Sequence, residues 1–435
     1  MIDKTDVLII GAGAAGLMAA YKLSAKGKKV IVLEARERLG GRIHTLNHES
    51  FFQHAELGAE FVHGDLPVTL GLLNEAGIAY HAAGGEWVRY TKDKFVENEQ
   101  MIENWGLLMD KLNQLKEDKS IGDFLLDEFP GEEHKNMRDG VCRFVAGYDS
   151  ADPQDASAFA LRKEWQGEDD DAQHRLNKGY GEMITYLAGK CKAAGGHIYL
   201  NSVVKQIHLQ KGGVSVVTSE NETYAAKQLI IALPLGVLQS DENALAAVTF
   251  HPPVLSYTKA LKQLGFGAII KFLLEFDSLF WESSAVTRLA GKSLKHMGFL
   301  LSNENIPTWW TQHPQHSPLL TGWLGGPAAR DKMHNTPDEL LSEALTSLNH
   351  IFKMDIEELK ARLIAWNIVN WTTDAFTLGS YSYDTVGAPA AREILNKPLD
   401  DTLFFAGEYL YDGPAMGTVE AALASGAEVA EKLNT

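Results

Sequence analysis

The sequence predicts an α/β protein built from two interleaved domains, and three observations support this fold class. An apolar segment, a glycine-rich turn and a helical pattern follow one another at residues 6–42. A similar order of buried strand, glycine and helix returns at residues 402–433, while residues 196–234 alternate in the manner of several short strands. We therefore expect a Rossmann-like domain interleaved with a mixed-sheet domain of α+β character that is flanked by helices.

The glycines of the N-terminal segment have the spacing of a phosphate-binding turn. Residues 7–10 are apolar and typical of a buried parallel strand, and Gly11, Gly13 and Gly16 follow them as GxGxxG. Gly11 permits the tight turn, Gly13 lets the backbone approach a pyrophosphate, and Gly16 allows close helix packing. The helix N-terminus offers free amides to phosphates, so the segment predicts a dinucleotide ligand.

Glu34 narrows the choice of dinucleotide. It follows the second predicted strand, residues 30–33, at a distance from the last glycine where a carboxylate accepts ribose hydroxyls and repels a 2′-phosphate. Residues 37–42, ERLGGR, add two glycines and an arginine that can pair bidentately with a phosphate. The dinucleotide contacts predicted in this segment are Gly11, Gly13, Ala15, Gly16, Glu34, Ala35, Arg36, Gly40, Gly41 and Arg42.

Composition indicates a globular protein with an acidic surface. The 435 residues suffice for two or three domains, and 45% of them are hydrophobic. Asp and Glu number 57 against 40 Lys and Arg, which gives a formal charge of −17. This charge opposes binding to nucleic acid and anionic membranes, so we expect neither partner. It favours a cationic small molecule, although acidity also serves solubility alone.

Cysteine usage and hydropathy predict a cytoplasmic, soluble protein. Cys142 and Cys191 lie far apart and outside any metal-ligand spacing, so neither a disulfide framework nor a metal site is expected. No apolar stretch reaches the roughly 18–20 residues that span a bilayer. The apolar start of the chain belongs to the glycine turn and is not interpreted as a secretory signal.

Changes of pattern along the chain set the expected domain boundaries. We assign residues 1–75, 191–250 and 379–435 to the dinucleotide-binding domain. Residues 76–190 and 251–378 are assigned to a substrate-binding domain.

Several smaller elements are also predicted. The C-terminal strand should span residues 402–410 and end at Gly407–Glu408, and the helix after it should span 418–433. A buried strand is expected at 268–276, helical structure at 337–361, and an exposed acidic loop at 168–171.

Four segments together resemble the flavin amine oxidase family. Besides the N-terminal fingerprint, residues 265–281, 371–383 and 404–426 are similar to its diagnostic stretches in order and spacing. LGAEFVHG at 57–64 resembles the polyamine oxidase and lysine demethylase branch. The resemblance implies FAD, with its further contacts at Gly58, Ala59, Glu60, Phe61, Val204, Trp371, Gly407, Glu408, Thr418 and Val419.

Lys271 is the first candidate catalytic residue. It shares one face of a predicted strand with Ile269 and Leu273, and a buried ammonium is costly unless it has a partner or a task. Residue type alone favours an edge-strand lysine that discourages aggregation. The resemblance implies instead that Lys271 holds a water against flavin N5 and assists reoxidation by dioxygen.

Other pocket residues follow from the same resemblance. Tyr381 corresponds to one wall of the aromatic cage that guides the amine, whereas Thr418 replaces the second aromatic of many members and resembles the demethylases. Ser380 stands where covalent members carry a flavin-linking cysteine, so FAD should be held non-covalently. His63 matches a pocket histidine of polyamine oxidases, but a structural role for it is equally open.

These features predict an FAD-dependent amine oxidase that acts on a primary or secondary amine, a polyamine or a bulky monoamine. The resemblance implies hydride transfer to flavin N5 and an imine product, with dioxygen as acceptor giving hydrogen peroxide. An L-amino acid oxidase, an FAD-dependent desaturase and a flavoprotein without turnover remain as alternatives.

Overall fold

The computed structural model describes residues 5–97, 102–167, 173–413 and 415–433. The acidic run at 168–171, for which an exposed loop is predicted, lies outside these residues. Within the described parts of the chain, no helix has the length and apolar character needed to cross a membrane.

The described residues form strands and helices in alternation. In chain order the strands are β1 (Thr5–Ile10), β2 (Val30–Leu33), β3 (Thr45–Leu46), β4 (Ala55–Glu56), β5 (Val62–His63), β6 (Tyr80–Ala83), β7 (Glu86–Thr91), β8 (Lys94–Glu97), β9 (Gln173–Leu176), β10 (His197–Tyr199), β11 (Val204–Gln210), β12 (Gly213–Thr218), β13 (Thr223–Ile231), β14 (Thr249–His251), β15 (Gly265–Phe266), β16 (Ile269–Phe276), β17 (Met297–Ser302), β18 (Thr308–Trp310), β19 (Leu319–Gly325), β20 (Leu363–Asn370), β21 (Ser382–Tyr383) and β22 (Leu403–Phe405). The helices are α1 (Ala14–Ala25), α2 (Pro67–Ala76), α3 (Trp105–Gln114), α4 (Ile121–Glu128), α5 (Lys135–Tyr148), α6 (Ala158–Gly167), α7 (Gly181–Ala193), α8 (Leu235–Gln239), α9 (Leu255–Leu261), α10 (Ser284–Ala290), α11 (Gly326–Asp331), α12 (Pro337–Phe352), α13 (Ile356–Arg362), α14 (Ala388–Leu395) and α15 (Val419–Lys432).

The first sheet joins distant parts of the chain, and its strands run in the order β10-β2-β1-β13-β12-β11-β14. β1 is parallel to both β2 and β13, and β22 from the C-terminal end also runs parallel to β13. Helices α1 and α15 pack against each other beside this sheet. The interior of β1 is almost fully buried, as expected of a parallel strand covered on both faces. The two ends of the chain therefore meet, which confirms the predicted mixed α/β architecture.

The second sheet has the strand order β20-β16-β19-β18-β17-β7-β8 and is largely antiparallel. β16 lies between β19 and β20, so Lys271 stands on an interior strand, and the edge-strand interpretation is wrong. A row of residues in register crosses the sheet from Lys271 through Trp323, Thr308 and Leu301 to Arg89. This row spans four strand spacings, or roughly 19 Å.

The C-terminal strand is shorter than predicted. β22 ends at Phe405 and not at Gly407–Glu408, where a short 3-10 helix begins instead. The backbone N–H of Gly407 donates to the Ser425 hydroxyl at 3.0 Å, which draws the chain away from the sheet toward α15. The predicted helix at 418–433 is present as α15, with Thr418 as its N-cap.

Candidate active site

The glycine turn between β1 and α1 forms a backbone cradle. Gly11 has a φ of +103°, and a Cβ there would lie 2.5 Å from the carbonyl oxygen of Ala232. A Cβ at Gly16 would lie 2.0 Å from the Gly11 oxygen, so glycine is required at both positions. α1 begins at Ala14 without a side-chain cap, which leaves the amides of its first turn available beside Gly13. This cradle fits the pyrophosphate of a dinucleotide.

The Glu34 carboxylate is buried and fixed by backbone amides. Its Oε2 accepts the N–H of Ala12 at 2.8 Å, and its Oε1 accepts the N–H of Arg36 at 3.0 Å. Each oxygen retains a lone pair for a ribose hydroxyl. The Arg36 guanidinium is bound to Asp374 and, at 3.0 Å, to Thr377. Because its guanidinium is occupied by these partners, Arg36 can contact a cofactor mainly with its backbone atoms.

Arg42 has two acceptors within the protein. Its Nη1 donates at 2.8 Å to Oε1 of Glu408 and at 2.8 Å to the carbonyl oxygen of Ser380, and its contact with a phosphate stays a prediction. Glu408 is buried and also accepts hydrogen bonds from Ser382. Within the described ranges, Nη2 of Arg42 has no hydrogen-bond partner, so a phosphate can still bind there.

The segment after β4 packs tightly against this arginine. A Cβ at Gly58 would lie 1.8 Å from the Arg42 carbonyl oxygen, and the Ala59 N–H donates to the same oxygen at 3.2 Å. The buried Trp371 donates from Nε1 to the Leu57 carbonyl oxygen at 2.8 Å. The backbone of this segment is thereby held at the cavity wall.

Lys271 is 1% exposed, and two of the three donors of its ammonium have protein acceptors. Its Nζ donates to Glu60 Oε2 at 2.7 Å and to the Gly58 carbonyl oxygen at 3.1 Å, and it lies 5.4 Å from the centre of the Trp310 ring. An ammonium in this environment is stabilised by its anion partner, as burial requires.

Glu60 itself bridges two cations. Its Oε1 lies 2.9 Å from Arg175 Nη2 and accepts the Trp310 Nε1–H at 3.0 Å. Burial alone would raise the pKa of Glu60, but Lys271 and Arg175 outweigh burial and lower it. Glu60 is therefore ionised at neutral pH.

Tyr381 and Thr418 both line the cavity. A Cβ at Gly417 would lie 3.0 Å from the Tyr381 ring, which places the residue next to Thr418 directly against that ring. The Tyr381 hydroxyl donates to the Tyr148 carbonyl oxygen, and burial raises the pKa of Tyr381. The Thr418 hydroxyl caps α15 by accepting the Ala421 N–H at 3.3 Å.

His63 lies at the end of β5 with its ring facing the same cavity. The centre of the His63 ring lies 5.8 Å from the ring centre of Phe61 and 6.0 Å from that of Tyr148. Burial lowers the pKa of His63 to about 4, so the imidazole is neutral at physiological pH. Its Nδ1 has no hydrogen-bond partner among the residues that the structure describes.

One continuous cavity of about 1340 Å³ brings nearly all of the predicted residues together. Gly16 is the exception, because it serves the packing of α1. The predicted residues that line the cavity are Gly11, Gly13, Ala15, Glu34, Ala35, Arg36, Gly40, Gly41, Arg42, Gly58, Ala59, Glu60, Phe61, His63, Val204, Lys271, Trp371, Tyr381, Gly407, Glu408, Thr418 and Val419.

Sequence reasoning missed Arg175 and the aromatic wall of this cavity. Trp310 and Phe299 lie 5.7 Å from the Phe61 ring, and Trp87, which is 46% exposed, stacks on Phe299 at 4.5 Å. These residues come from separate strands, so no local spacing marks them. A buried acid in the apolar context of LGAEFVHG does require cationic partners, and this was the available signal for Arg175.

Comparison with known proteins identifies the family of the chain. A family model described as flavin-containing amine oxidoreductase matches residues 14–434. Polyamine oxidase 4 of Oryza sativa subsp. japonica is 27% identical, over 98% of this chain and 88% of its own length. Human lysine-specific histone demethylase 2 is 28% identical over 93% of this chain, which spans half of that longer protein.

Two solved structures share the fold over 99% of this chain. One is a putrescine oxidase bound to putrescine, with a TM-score of 0.78, 21% identity and 99% of its own chain covered. The other is cyclohexylamine oxidase from Brevibacterium oxydans IH-35A, with a TM-score of 0.78, 21% identity and full coverage. Because the family model covers nearly the whole chain, the protein belongs to the flavin-containing amine oxidoreductases and is an FAD-dependent amine oxidase.

Proposed function

We propose that the protein oxidises a primary or secondary amine to an imine with non-covalently bound FAD and releases hydrogen peroxide. The observation that carries the proposal is the single cavity that runs from the glycine cradle and Glu34 to Lys271, Tyr381 and Thr418. A cofactor held at the cradle and an amine held beside Tyr381 and Thr418 would share one continuous cavity.

Residues of the chain have separate tasks in this scheme. When bound, FAD would supply the two-electron acceptor for amine oxidation, with dioxygen as the final acceptor. The cradle and Glu34 hold the dinucleotide, while Tyr381 and Thr418 form the walls that orient the amine. Lys271 stands buried at the inner end of the cavity, where its ammonium and a bound water would assist the oxygen reaction.

Ser380 supports non-covalent binding of the flavin. This residue is 4% exposed and lines the cavity at the position of the linking cysteine of covalent members. A serine hydroxyl does not form the thioether that a cysteine forms. Its Oγ has no hydrogen-bond partner within the described residues, so it is available to a ligand.

Two observations support a polyamine or bulky monoamine as substrate. The aromatic wall of Phe61, Phe299 and Trp310 offers apolar and cation–π contacts to a large amine. Asp149 and Glu164 line the cavity, and their negative charges act on Tyr381, which favours a cationic chain. The polyamine oxidase and putrescine oxidase among the similar proteins agree with this choice.

Arg175 and Arg89 do not supply the cation that an L-amino acid oxidase needs for its substrate carboxylate, whereas Arg143 also lines the cavity and leaves that alternative to the substrate panel. An α-carboxylate is bonded to the reacting carbon, so its cation must lie close to the centre of reaction. Arg175 is committed to Glu60, and Arg89 lies four strands from Lys271 in the sheet row, roughly 19 Å away. Neither arginine is placed to hold that carboxylate.

Peroxide release from a substrate panel tests the proposal. The panel comprises spermidine, putrescine, phenethylamine, tryptamine and the common L-amino acids. At least one amine should be turned over, with kcat/KM rising with pH as the substrate ammonium loses its proton, because hydride transfer needs a free nitrogen lone pair. Turnover of an amino acid together with none of the amines would refute the assignment.

A further inference from the structure

The buried ion cluster around Glu60 contains one more cation than anions. Lys271 Nζ lies 2.7 Å from Glu60 Oε2, and Arg175 Nη2 lies 2.9 Å from Glu60 Oε1. Side-chain exposure is 1% for Lys271, 8% for Arg175 and 7% for Glu60. Solvent can therefore screen none of these charges well, and the cluster carries a net charge of about +1.

Arg175 is held firmly in this arrangement. Its Nη2 also donates to the Thr311 carbonyl oxygen at 3.0 Å, and its guanidinium lies 4.4 Å from the centre of the Phe61 ring. The side chain comes from β9, whereas Lys271 comes from β16, so two separate strands supply the two cations. Lys271 therefore pairs with one carboxylate oxygen of Glu60, and Arg175 pairs with the other.

The other groups that face the cluster leave its sign positive. Trp310 Nε1 and Gln312 Nε2 point to Glu60 Oε1 at 3.0 and 3.5 Å, and both are neutral donors. Glu56 is a nearby acid that interacts electrostatically with Lys271 and Glu60, and burial raises its pKa to about 7. It is thus partly protonated at neutral pH and offsets only part of the excess charge.

We propose that Arg175 is a positioning residue for the oxygen half of the reaction, holding Glu60 so that the Lys271 ammonium keeps an unbalanced positive charge beside the flavin. The proposal rests on the proposed flavin function. Without Arg175, Glu60 would neutralise Lys271, and the cluster would give no net stabilisation to the negative charge of a reduced flavin ring. With it, the reduced flavin is favoured and dioxygen reduction meets a positive site.

The test is the midpoint potential of bound FAD in four variants of the holoenzyme, measured without any amine. Arg175→Gln keeps donor groups but removes the charge, so the potential should fall and flavin reoxidation by dioxygen should slow by about tenfold, the size expected for one unit charge near a buried site. Arg175→Lys keeps the charge and should stay near the wild type. Arg162→Met is the matched control, since Arg162 also binds a backbone carbonyl, at 2.9 Å, and an aromatic ring, at 4.3 Å, outside the cavity.

The double variant Glu60→Gln/Arg175→Gln distinguishes an effect of the cluster's net charge on the potential from an effect of lost contacts. It removes one charge of each sign, so the cluster again carries the charge of Lys271 alone, and the potential should return toward the wild-type value. The proposal is overturned if Arg175→Gln binds FAD with an unchanged potential, or if Arg175→Lys shifts it as far as Arg175→Gln. A wild-type protein that binds no FAD would instead refute the proposed function.

Discussion

At the residue scale, Glu34 is the group that we expect to decide FAD affinity. Glu34→Ala removes a charge-assisted hydrogen bond worth about 1.5–3 kcal/mol and should weaken FAD binding roughly 10- to 150-fold. Glu34→Gln is the matched control, because its amide oxygen can still accept one of the two backbone N–H groups at 2.8–3.0 Å. Titration of the apoprotein with FAD, followed by flavin fluorescence, measures both affinities. Equal affinity in wild type and Glu34→Ala would remove Glu34 from the site.

Lys271 should act on flavin oxidation and not on its reduction. Lys271→Met should leave FAD bound and reduction by amine nearly unchanged, while reoxidation slows on the order of 100-fold as the positive charge is lost. Stopped-flow spectroscopy measures the two half-reactions separately. Lys332→Met serves as control, because Lys332 forms an equally short ion pair, 2.6 Å from Glu343, outside the cavity. If both half-reactions keep their rates in Lys271→Met, the lysine is structural.

Single residues show what sequence could and could not predict of the site. Gly11, Glu34 and Lys271 belong to local motifs with fixed spacing, and each lines the cavity. Arg175 has no such motif, because it reaches Glu60 only once β9 has paired with β5 and β6. The pairing of Arg42 with Glu408 likewise joins residues from opposite ends of the chain. The functional roles of all these residues stay predictions.

At the scale of elements, α15 depends on Thr418 for its N-terminal cap. Thr418→Ala loses the hydroxyl that accepts the Ala421 N–H, and the free energy of unfolding should fall by about 1 kcal/mol. Thr418→Ser keeps the acceptor and should lose little of this stability. Urea denaturation of the three proteins provides the comparison. A loss in Thr418→Ser equal to that in Thr418→Ala would assign the effect to the threonine methyl group.

Element boundaries were predictable where pattern and hydrogen bonding agree. β2 covers the predicted residues 30–33, and α12 and α13 fill the predicted helical region 337–361. The length of β22 was overestimated because Ala406, Tyr409 and Leu410 extend its apolar run, yet the Gly407 N–H donates to the Ser425 hydroxyl. That competing bond belongs to tertiary structure and leaves no periodic signal in the sequence.

At the scale of the whole molecule, the predicted interleaving follows from repeated strand–glycine–helix patterns at both ends. The first sheet takes strands from residues 5–33, 197–251 and 403–405, as that pattern requires. The exact division into two domains remains a prediction. Side-chain complementarity between the sheets, which forms the cavity, has no counterpart in local sequence.

Burial of Glu56 should make global stability depend on pH. Burial raises the pKa of Glu56 to about 7 from a usual 4.5, so the folded protein binds a proton that the unfolded chain releases. The stabilisation from this bound proton is fully present below the unfolded pKa and is lost as pH rises through the folded pKa, a change of roughly 3 kcal/mol.

Glu56→Gln should remove this dependence. Its amide oxygen can accept the Tyr180 N–H, which Glu56 accepts at 2.6 Å, and it stays neutral at every pH. Urea unfolding at about pH 5 and about pH 8.5 should show a smaller fall in stability for Glu56→Gln than for wild type. Glu242→Gln, at an exposed position, should behave as wild type. An identical fall in Glu56→Gln would contradict the assigned cause.

Anaerobic mixing of the purified protein with amines tests most directly that FAD and amine meet in this one cavity. Putrescine, spermidine, phenethylamine or tryptamine should bleach the visible absorption of the bound flavin, and admission of air should restore it with formation of hydrogen peroxide. The common L-amino acids should cause no bleaching. A flavin that no amine bleaches, or that only an amino acid reduces, would contradict the account.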